Sequence, residues 1–304
     1  AIDTEVGSSN LTGNVGVQII RTDQSSSGAV YFGNTPTPLT NGTKYTDVLP
    51  SLNLALRTPS DFVFRVGLSR QIQRPRMDDM RVAIGYGVNR DGPVPIIRGS
   101  GGNPFLEPMR ANALDLTVEK YFGNKGYISA QLYYKKLLNW IYKVDVPFDF
   151  TGFPLGSEVV PSRNGFVNLP INGDGGKLYG IELAGTLPFE TFTAALEGFG
   201  VTGGVAYTKS RLRPAPGVNF GDIDGYSRWV ANGTAYFERS GFSARGSVRY
   251  RSTFQGELAG FGGNRTRRRA RGETLVDAQL GYEFQDGSSL EGLSLFIQGQ
   301  NLTN

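Results

Sequence analysis

The segment from residue 111 to residue 142 limits the possible folds of this chain more than any other stretch. It contains two arms, ANALDLTVEKYF and YISAQLYYKKLLNWIY, separated by GNKG. Apolar and polar residues alternate along both arms, which is the period of a β-strand whose two faces meet different surroundings. Each arm has about twelve residues or more, whereas strands in soluble sheets have about 5 to 6. A tilted strand that crosses a bilayer needs about 9 to 11 residues, so this hairpin is long enough to span a membrane.

The second arm shows which residues lie on the apolar face and which lie on the polar face of the predicted strand. The apolar face begins at Ile128 and ends in the aromatic pair Trp140 and Tyr142. The opposite face carries polar side chains, among them Gln131 and Lys135. Because strand side chains alternate, we predict that Gln131 and Lys135 face water while the other parity faces an apolar medium.

The composition excludes several kinds of site. The chain has no cysteine and no histidine, which removes disulfides, thiol nucleophiles, imidazole bases and the usual zinc ligands. The pairs Asp222 with Asp224 and Asp78 with Asp79 lack the further spacing of a calcium loop, so we predict no metal site and no cofactor. A net charge of +4 over 304 residues gives no reason to expect nucleic acid as a partner.

The balance of residue types favours strands and turns. Glycine occurs 42 times, and phenylalanine and tyrosine occur 19 and 14 times against three methionines. The mean hydropathy of -0.25 is that of an average soluble protein. When apolar and polar residues alternate along a strand, however, their values cancel in the mean, so an apolar face does not raise it. No run of about 18 apolar residues occurs, so we expect no membrane-spanning helix.

Long polar connections alternate with short ones along the chain. The long ones span residues 23–43, 73–110, 144–163, 213–225 and 255–271, and the short ones span residues 58–61, 123–126, 188–198, 239–241 and 285–292. Long loops on one rim and short turns on the other are typical of outer-membrane barrels, whereas a soluble meander has no reason to separate them. We therefore predict an all-β, antiparallel, up-and-down transmembrane β-barrel in preference to a soluble all-β protein.

The number of predicted strands indicates an incomplete barrel. About eleven strands are predicted over residues 1–304, an odd number, whereas single-chain bacterial barrels close with an even number. Open strand edges in hydrocarbon would leave backbone N–H and C=O groups unpaired. We therefore expect these strands to belong to a larger barrel and to need partners outside this segment.

Five stretches carry a resemblance to a known family. They are GNVGVQIIRTDQ (residues 13–24), GNPFLEPMRANALDLTVEKYF (residues 102–122), GGKLYGIEL (residues 175–183), GFSARGSVRYRSTF (residues 241–254) and GQNLTN (residues 299–304). Together, in this order and over nearly the whole segment, they resemble the C-terminal part of the barrel of a TonB-dependent outer-membrane receptor.

The resemblance implies a transport machine with several parts. In that family an N-terminal plug domain fills the barrel, a TonB box precedes the plug, and energy relayed from the inner membrane drives uptake of a scarce, bulky ligand. No plug is recognisable in residues 1–304 and the family continues through further strands, so we interpret the chain as a partial barrel domain. The expected partners are lipid and lipopolysaccharide of a Gram-negative outer membrane, the plug, the TonB complex, and a siderophore, vitamin or oligosaccharide ligand.

Arginines are the charged candidates for contacts with ligand and plug. The densest run lies in the last long loop and includes Arg265, Arg267, Arg268 and Arg269. These side chains could bind an anionic ligand or a lipopolysaccharide phosphate, and a merely solvated loop is the alternative. Three more share the polar parity of one predicted strand: Arg245, Arg249 and Arg251. We predict that these three face the lumen and the plug, with substrate contact as the alternative.

Aromatic residues divide into two groups. Four lie on the apolar parity near predicted outer strand ends: Trp140, Tyr142, Tyr250 and Phe254. We predict that they form a membrane-interface girdle, with stacking on a sugar or siderophore as the alternative. The loop at residues 144–163 contains Phe148, Phe150 and Phe153. We predict ligand contact for these three because a loop has no lipid to face, and packing of the loop on itself is the alternative.

Two classes of function remain open. The first is the active-transport receptor, whose long loops and plug capture the ligand. The second is a passive porin or another outer-membrane barrel without a plug. We predict no enzymatic activity, because barrel hydrolases use histidine for proton transfer and this chain has none.

Overall fold

The computed structural model describes residues 1–32, 35–123, 125–213, 221–259 and 265–303. The described residues form sixteen β-strands and three short 3₁₀ turns, and all of the longer elements are strands. The strands are β1 (Ile2–Val6), β2 (Ser9–Phe32), β3 (Thr35–Arg57), β4 (Phe62–Gln73), β5 (Ile84–Asn89), β6 (Ile96–Gly101), β7 (Met109–Phe122), β8 (Gly126–Asp149), β9 (Asn164–Pro188), β10 (Phe199–Leu212), β11 (Trp229–Arg239), β12 (Phe242–Arg251), β13 (Phe254–Ala259), β14 (Arg265–Ala270), β15 (Glu273–Glu283) and β16 (Ser294–Gly299). In this part of the chain, no helix has the length and apolar character needed to cross a membrane.

Fourteen of the described strands form one sheet, in which twelve run antiparallel in the order β1-β2-β3-β4-β7-β8-β9-β10-β11-β12-β15-β16, while β5 and β6 lie off this path. This confirms the predicted all-β, up-and-down architecture. The sequence prediction of about eleven strands missed β1, whose five residues look like the end of a turn. Within the described residues β1 and β16 are the two ends of the order, so the sheet is not closed, as expected for an incomplete barrel.

Short turns join the strands at one end of the sheet. The turn between β11 and β12 contains two residues of positive φ, Ser240 at 49° and Gly241 at 80°. Two such residues fit a type I′ turn, whose twist matches that of the flanking antiparallel strands. Glycine suits the second position because a Cβ there would lie 2.2 Å from the carbonyl oxygen of Glu283.

The prediction of a long loop at residues 23–43 is wrong. Instead of a long loop, β2 and β3 continue through this stretch and pair from Asn10 opposite Arg57 to Phe32 opposite Thr35. The serines and threonines here bond across the hairpin, as between Ser27 Oγ and Thr40 Oγ1 at 2.8 Å. A paired ladder satisfies the backbone whatever the side chains are, so a polar composition does not by itself indicate a loop.

Two tall hairpins flank two short strands. The strands β2 and β3 have 24 and 23 residues and β8 and β9 have 24 and 25, whereas β4 and β7 between them have 12 and 14. The long connection from β4 to β7 therefore occupies the space above the short pair. It contains the β5–β6 hairpin, and β6 pairs in parallel with the upper edge of β9 through Arg98 opposite Phe166.

The register of the main sheet produces one apolar and one polar face. A single apolar row crosses eight strands as Gly13, Leu54, Val66, Leu116, Leu132, Ile181, Tyr207 and Trp229. The adjacent row on the opposite face contains Arg65, Thr117, Gln131, Glu182, Ala206, Val230, Arg251 and Glu273. The apolar face is open, since Leu132 is 52% exposed and Val17 is 63% exposed. An uncovered apolar face of this extent requires an apolar medium.

We expect this division to be visible with single cysteine substitutions, since the protein has no cysteine of its own. In reconstituted membranes, a nitroxide on Leu132→Cys should collide with a lipid-soluble relaxant. A nitroxide on Gln131→Cys should collide with a water-soluble one, because adjacent strand residues point to opposite faces. The reverse pattern would overturn the face assignment for all twelve strands.

Candidate functional site

Two asparagine side chains attach the end of the β4–β7 connection to the tall β8–β9 hairpin. Asn172 accepts a hydrogen bond from the Glu107 N–H at 2.9 Å and donates to the Glu107 carbonyl at 2.8 Å. Asn139 accepts from the Arg110 N–H at 2.7 Å and donates to the carbonyl of the buried Pro108 at 2.9 Å. Each amide thus satisfies one N–H and one C=O, as a neighbouring strand would.

The other side of the same connection is attached to β2 and β3. Gln24 donates to the carbonyls of Pro104 at 3.3 Å and Leu106 at 2.7 Å. The Tyr45 hydroxyl donates to the Gln24 side-chain oxygen at 3.2 Å, and Leu106 is fully buried. Because these partners lie on the polar-face parity, the connection covers the loop-bearing end of the polar face.

Arg110 joins the connection to a buried carboxylate. Its Nε lies 2.5 Å from Asp47 Oδ1 and its Nη1 lies 2.8 Å from Glu107 Oε2. The guanidinium also lies over the ring of Tyr45, 5.9 Å from the centroid. Asp47 is only 4% exposed, so removing Arg110 would leave a buried charge without its cation, a change that destabilises proteins by about 3–5 kcal/mol.

The three phenylalanines predicted as ligand contacts lie in a hydrophobic cluster instead. Phe150 is 0% exposed and Phe153 is 7% exposed, and they pack with Ile97 of β6 and with the half-buried Phe148. Ring centroids are 4.8 Å apart for Phe148 and Phe150, and Tyr86 packs against Phe153 at 5.2 Å. The start of the loop therefore packs against strands, since Phe148 belongs to β8 and the cluster also contains Val167 of β9. Phe150 and Phe153 are buried in this packing, and ligand contact by the three phenylalanines stays a prediction.

The arginine run forms one strand of a small hairpin rather than a loop. Residues 265–270 are β14, which pairs with β13 so that Arg268 lies opposite Gly256 and Arg269 opposite Gln255. Arg268 and Arg269 are exposed and point to opposite faces of the hairpin. The backbones of Arg265 and Arg267 lie in the same strand, and their side chains fall outside the described part of the structure.

Arg251 has a structural task that the sequence did not indicate. Its Nε donates to Ser227 Oγ at 2.7 Å, its Nη2 donates to the Gly225 carbonyl at 2.7 Å, and its Cζ lies 3.7 Å from the centroid of the Phe254 ring. Ser227 is 5% exposed and donates to the Ser252 carbonyl. Arg251 therefore fixes the segment before β11, and its contact with a plug stays a prediction.

A polar cleft of about 320 Å³ opens beside this segment. Its walls include Thr208 of β10, Arg228, Gln255 and Arg269, with Asp222 3.4 Å from the Arg228 guanidinium. The cleft lies at the loop-bearing end of the sheet, and Thr208, which lines it, is on the polar face. Among the predicted residues, Arg269 and Phe254 are the two that the structure brings together here.

The other predicted lumen residues lie on the polar face and have neighbours within the sheet. Lys135 donates to Gln71 at 3.3 Å and Arg249 pairs with Asp277 at 2.8 Å. The Arg245 guanidinium pairs with Glu238, and Gln131 Nε2 lies 3.5 Å from Asp115 Oδ1. The side chains of Arg249 and Arg245 remain 61% and 57% exposed, so their contact with a plug stays a prediction.

Aromatic side chains mark both ends of the apolar face. The loop-side row contains Tyr134, Tyr179, Tyr207, Trp229 and Tyr250, and the turn-side row contains Phe62, Phe199, Phe237, Phe242 and Tyr282. On β10, β11 and β12 the two rows are eight residues apart, roughly 26 Å of strand. This is the scale of the apolar band of an outer-membrane barrel, about 25 Å tall. The turn-side row was missed, although aromatics repeating at both strand ends were a usable signal.

The predicted girdle residues are distributed differently. Tyr250 lies in the loop-side row and is 42% exposed. Trp140 is half-buried against the cluster of Leu178, Leu212 and Ile223, Tyr142 is half-buried further along β8, and Phe254 begins β13. A girdle role therefore stays a prediction, and only Tyr250 has the placement it requires.

A family model described as "TonB dependent receptor-like, beta-barrel" matches residues 3–302. The chain belongs to the TonB-dependent receptor β-barrel family. This confirms the resemblance read from the sequence. The proteins of this family reside in the outer membrane of Gram-negative bacteria, and its members are transport receptors.

Solved receptors share the fold of this barrel. A variant of the ferric enterobactin receptor PfeA from Pseudomonas aeruginosa, in complex with enterobactin, has a TM-score of 0.63 at 14% identity, covering 99% of this chain and 38% of that one. The ferric citrate transporter FecA gives 0.58 at 13% identity, with 98% and 38% covered. The siderophore receptor PirA from Acinetobacter baumannii gives 0.56 at 12%, with 92% and 38% covered. The chain thus spans less than half the length of these receptors, and at these identities the likeness establishes the fold alone.

No curated protein sequence matches the chain significantly. Within the described residues of this barrel, no group of three or more acidic side chains could hold a metal ion.

We expect Asn172→Ala to loosen the β4–β7 connection, because both backbone groups of Glu107 lose their partners. An unsatisfied buried group costs about 1–3 kcal/mol, so amide hydrogen exchange of residues 104–108 should accelerate by roughly tenfold to a hundredfold. Asn53→Ala is the matched control, since the Asn53 amide bonds only the side chain of Asn14. Equal acceleration in both variants would contradict this attachment.

The contact between β6 and the tall hairpin should weaken in acid. Hydrogen bonds from Asn168 at 2.8 Å and Arg98 at 2.6 Å lower the pKa of Asp145 below its ordinary value. A lowered folded-state pKa contributes stability that is present above the unfolded value, about 3.9, and is lost as pH falls through the folded value. The protection of β6 amides, expressed relative to their intrinsic exchange rates at each pH, should therefore fall below about pH 4, and Asp145→Asn should abolish that part of the pH dependence.

Proposed function

We propose that this barrel is part of an outer-membrane receptor that imports a scarce, bulky ligand by TonB-dependent active transport. The observation that carries the proposal is the match of residues 3–302 to the receptor barrel family. The two-faced sheet supports it, because it offers a lipid-facing wall and a polar wall in the same strands.

The polar face forms the wall of the lumen in this proposal. An N-terminal plug domain fills that lumen and meets the exposed guanidinium groups of Arg245 and Arg249. Further strands pair with the open edges of β1 and β16, because N–H and C=O groups cannot stay unpaired in hydrocarbon. The TonB complex acts on the receptor through the segment that precedes the plug.

The apolar face contacts outer-membrane lipid in this proposal. Its two aromatic rows lie at the membrane interfaces, where rings with a polar group are favoured. Arg268, on the face of β14 that points away from the cleft, is a candidate contact for lipopolysaccharide phosphate.

The ligand is a small molecule captured at the loop-bearing end. Solved relatives are described as receptors of ferric enterobactin and ferric citrate, which supports a siderophore, and vitamins and oligosaccharides are the other candidate classes. The receptor transports its ligand without chemical conversion in this proposal.

Uptake measurements test the function. Cells that carry the complete receptor should accumulate a labelled ligand from a panel of ferric siderophores, cobalamin and oligosaccharides only when TonB is intact and the inner membrane is energised. Deletion of the receptor gene is the control. Accumulation that does not depend on TonB, together with swelling of liposomes that contain the purified protein, would support a passive porin and reject the proposal.

A further inference from the structure

The cleft beside Arg228 has features that a barrel wall does not require. We infer that it binds an acidic sugar unit, with the carboxylate on Arg228 and Arg269 and the sugar ring against Tyr226. This inference rests on the proposed transport function and assigns part of the ligand-capturing surface.

Hydrogen bonds fix the segments beside the cleft. Arg251 holds Ser227 and the Gly225 carbonyl, and the Ser252 side chain accepts a hydrogen bond from the Trp229 N–H at 3.0 Å. On the opposite side, Ser210 is 4% exposed and accepts from the Ile223 N–H at 2.9 Å. A site whose surroundings are fixed by hydrogen bonds needs less ordering when a ligand binds, which favours affinity.

The charges of the cleft favour an anion. Arg228 and Arg269 contribute two guanidinium groups and Asp222 one carboxylate. The Arg228 side chain keeps 52% exposure although it pairs with Asp222 at 3.4 Å, and Arg269 is exposed. Guanidinium groups bind carboxylates through paired N–H donors, so the excess of one cation suits a ligand with one carboxylate.

The uncharged walls favour a hydroxylated ring over a bare anion. Tyr226 is 51% exposed and lines the cleft. Thr253 and Gln255 are exposed and line the same space, and their hydroxyl and amide groups can each donate to and accept from a sugar hydroxyl. The Asp222 carboxylate can accept a hydrogen bond and the neighbouring Arg228 guanidinium can donate one. Because a hydroxyl group both donates and accepts, this pair also suits a sugar hydroxyl.

The size of the cleft limits what enters it. Ligand pockets range from about 300 to 1,000 Å³, and this cleft, at about 320 Å³, lies at the lower bound. A bulky chelate would not fit, whereas one sugar ring with its carboxylate would. The cleft therefore recognises a terminal or branching unit of a larger ligand.

Calorimetry on the complete purified receptor tests the inference with three probes, a glucuronate disaccharide, its neutral glucose counterpart and inorganic phosphate. We expect only the glucuronate disaccharide to bind. Arg269→Gln should weaken its binding about tenfold, the scale of one lost charge-assisted contact. Arg271→Gln is the matched control, since Arg271 is an exposed arginine just beyond β14 that does not line the cleft, and it should leave affinity unchanged. Tyr226→Ala should weaken binding and Tyr226→Phe should preserve it, because the ring face is what the sugar contacts.

Several outcomes would overturn the acidic-sugar assignment. Equal binding of phosphate would make the cleft a simple anion site, and equal binding of the neutral disaccharide would remove the role of the carboxylate. Equal losses in Arg269→Gln and Arg271→Gln would indicate a general charge effect. If the glucuronate probe does not bind while TonB-dependent uptake of another nutrient continues, the cleft assignment fails and the transport function stands. If no ligand is taken up with dependence on TonB, the transport function fails.

Discussion

Backbone hydrogen bonding between neighbouring strands is the constraint on which the rest of this structure depends. The sheet has no large core of its own, and its apolar face is open along eight strands, so burial of side chains cannot fix the register. The ladder does so instead, because every N–H and C=O group that faces hydrocarbon must find a partner. Once Leu116 lies opposite Leu132 and Leu132 opposite Ile181, every other residue is assigned to a face. The apolar and polar faces are two consequences of this one register.

Where the ladder ends, side chains replace it. The strands β4 and β7 stop well short of their neighbours, and the connection above them has no strand partner on either side along residues 102–108. Asn139 and Asn172 then pair with its N–H and C=O groups, and Gln24 pairs with two further carbonyls. An irregular segment is thereby held almost as firmly as a strand, and it covers the loop-bearing end of the polar face. A receptor that captures its ligand there would need this rigidity, because a fixed surface binds with a smaller entropic penalty.

The arginines of the polar side show how one residue type takes different roles. Arg251 is engaged by a serine, a backbone carbonyl and an aromatic ring, so it fixes the segment beside the cleft. Arg249 has a single carboxylate partner and stays mostly exposed, and Arg228 stays half exposed beside Asp222. These arginines have different roles because they have different numbers of fixed partners. Only a guanidinium with unused N–H donors can bind a ligand or a plug.

The sequence by itself determined the strand period, the two faces, the alternation of long and short connections and the family. These features are local or repeat regularly along the chain, so each can be recognised without knowing the strand partners. Only the tertiary structure decided how the long connections fold. It extended residues 23–43 into a hairpin, buried Phe150 and Phe153 in a cluster with Ile97, and made Asn139 and Asn172 the attachment points of a distant segment. In each case the outcome depends on which remote strands come together, and polar or aromatic residues in a connection carry no local signal of that choice.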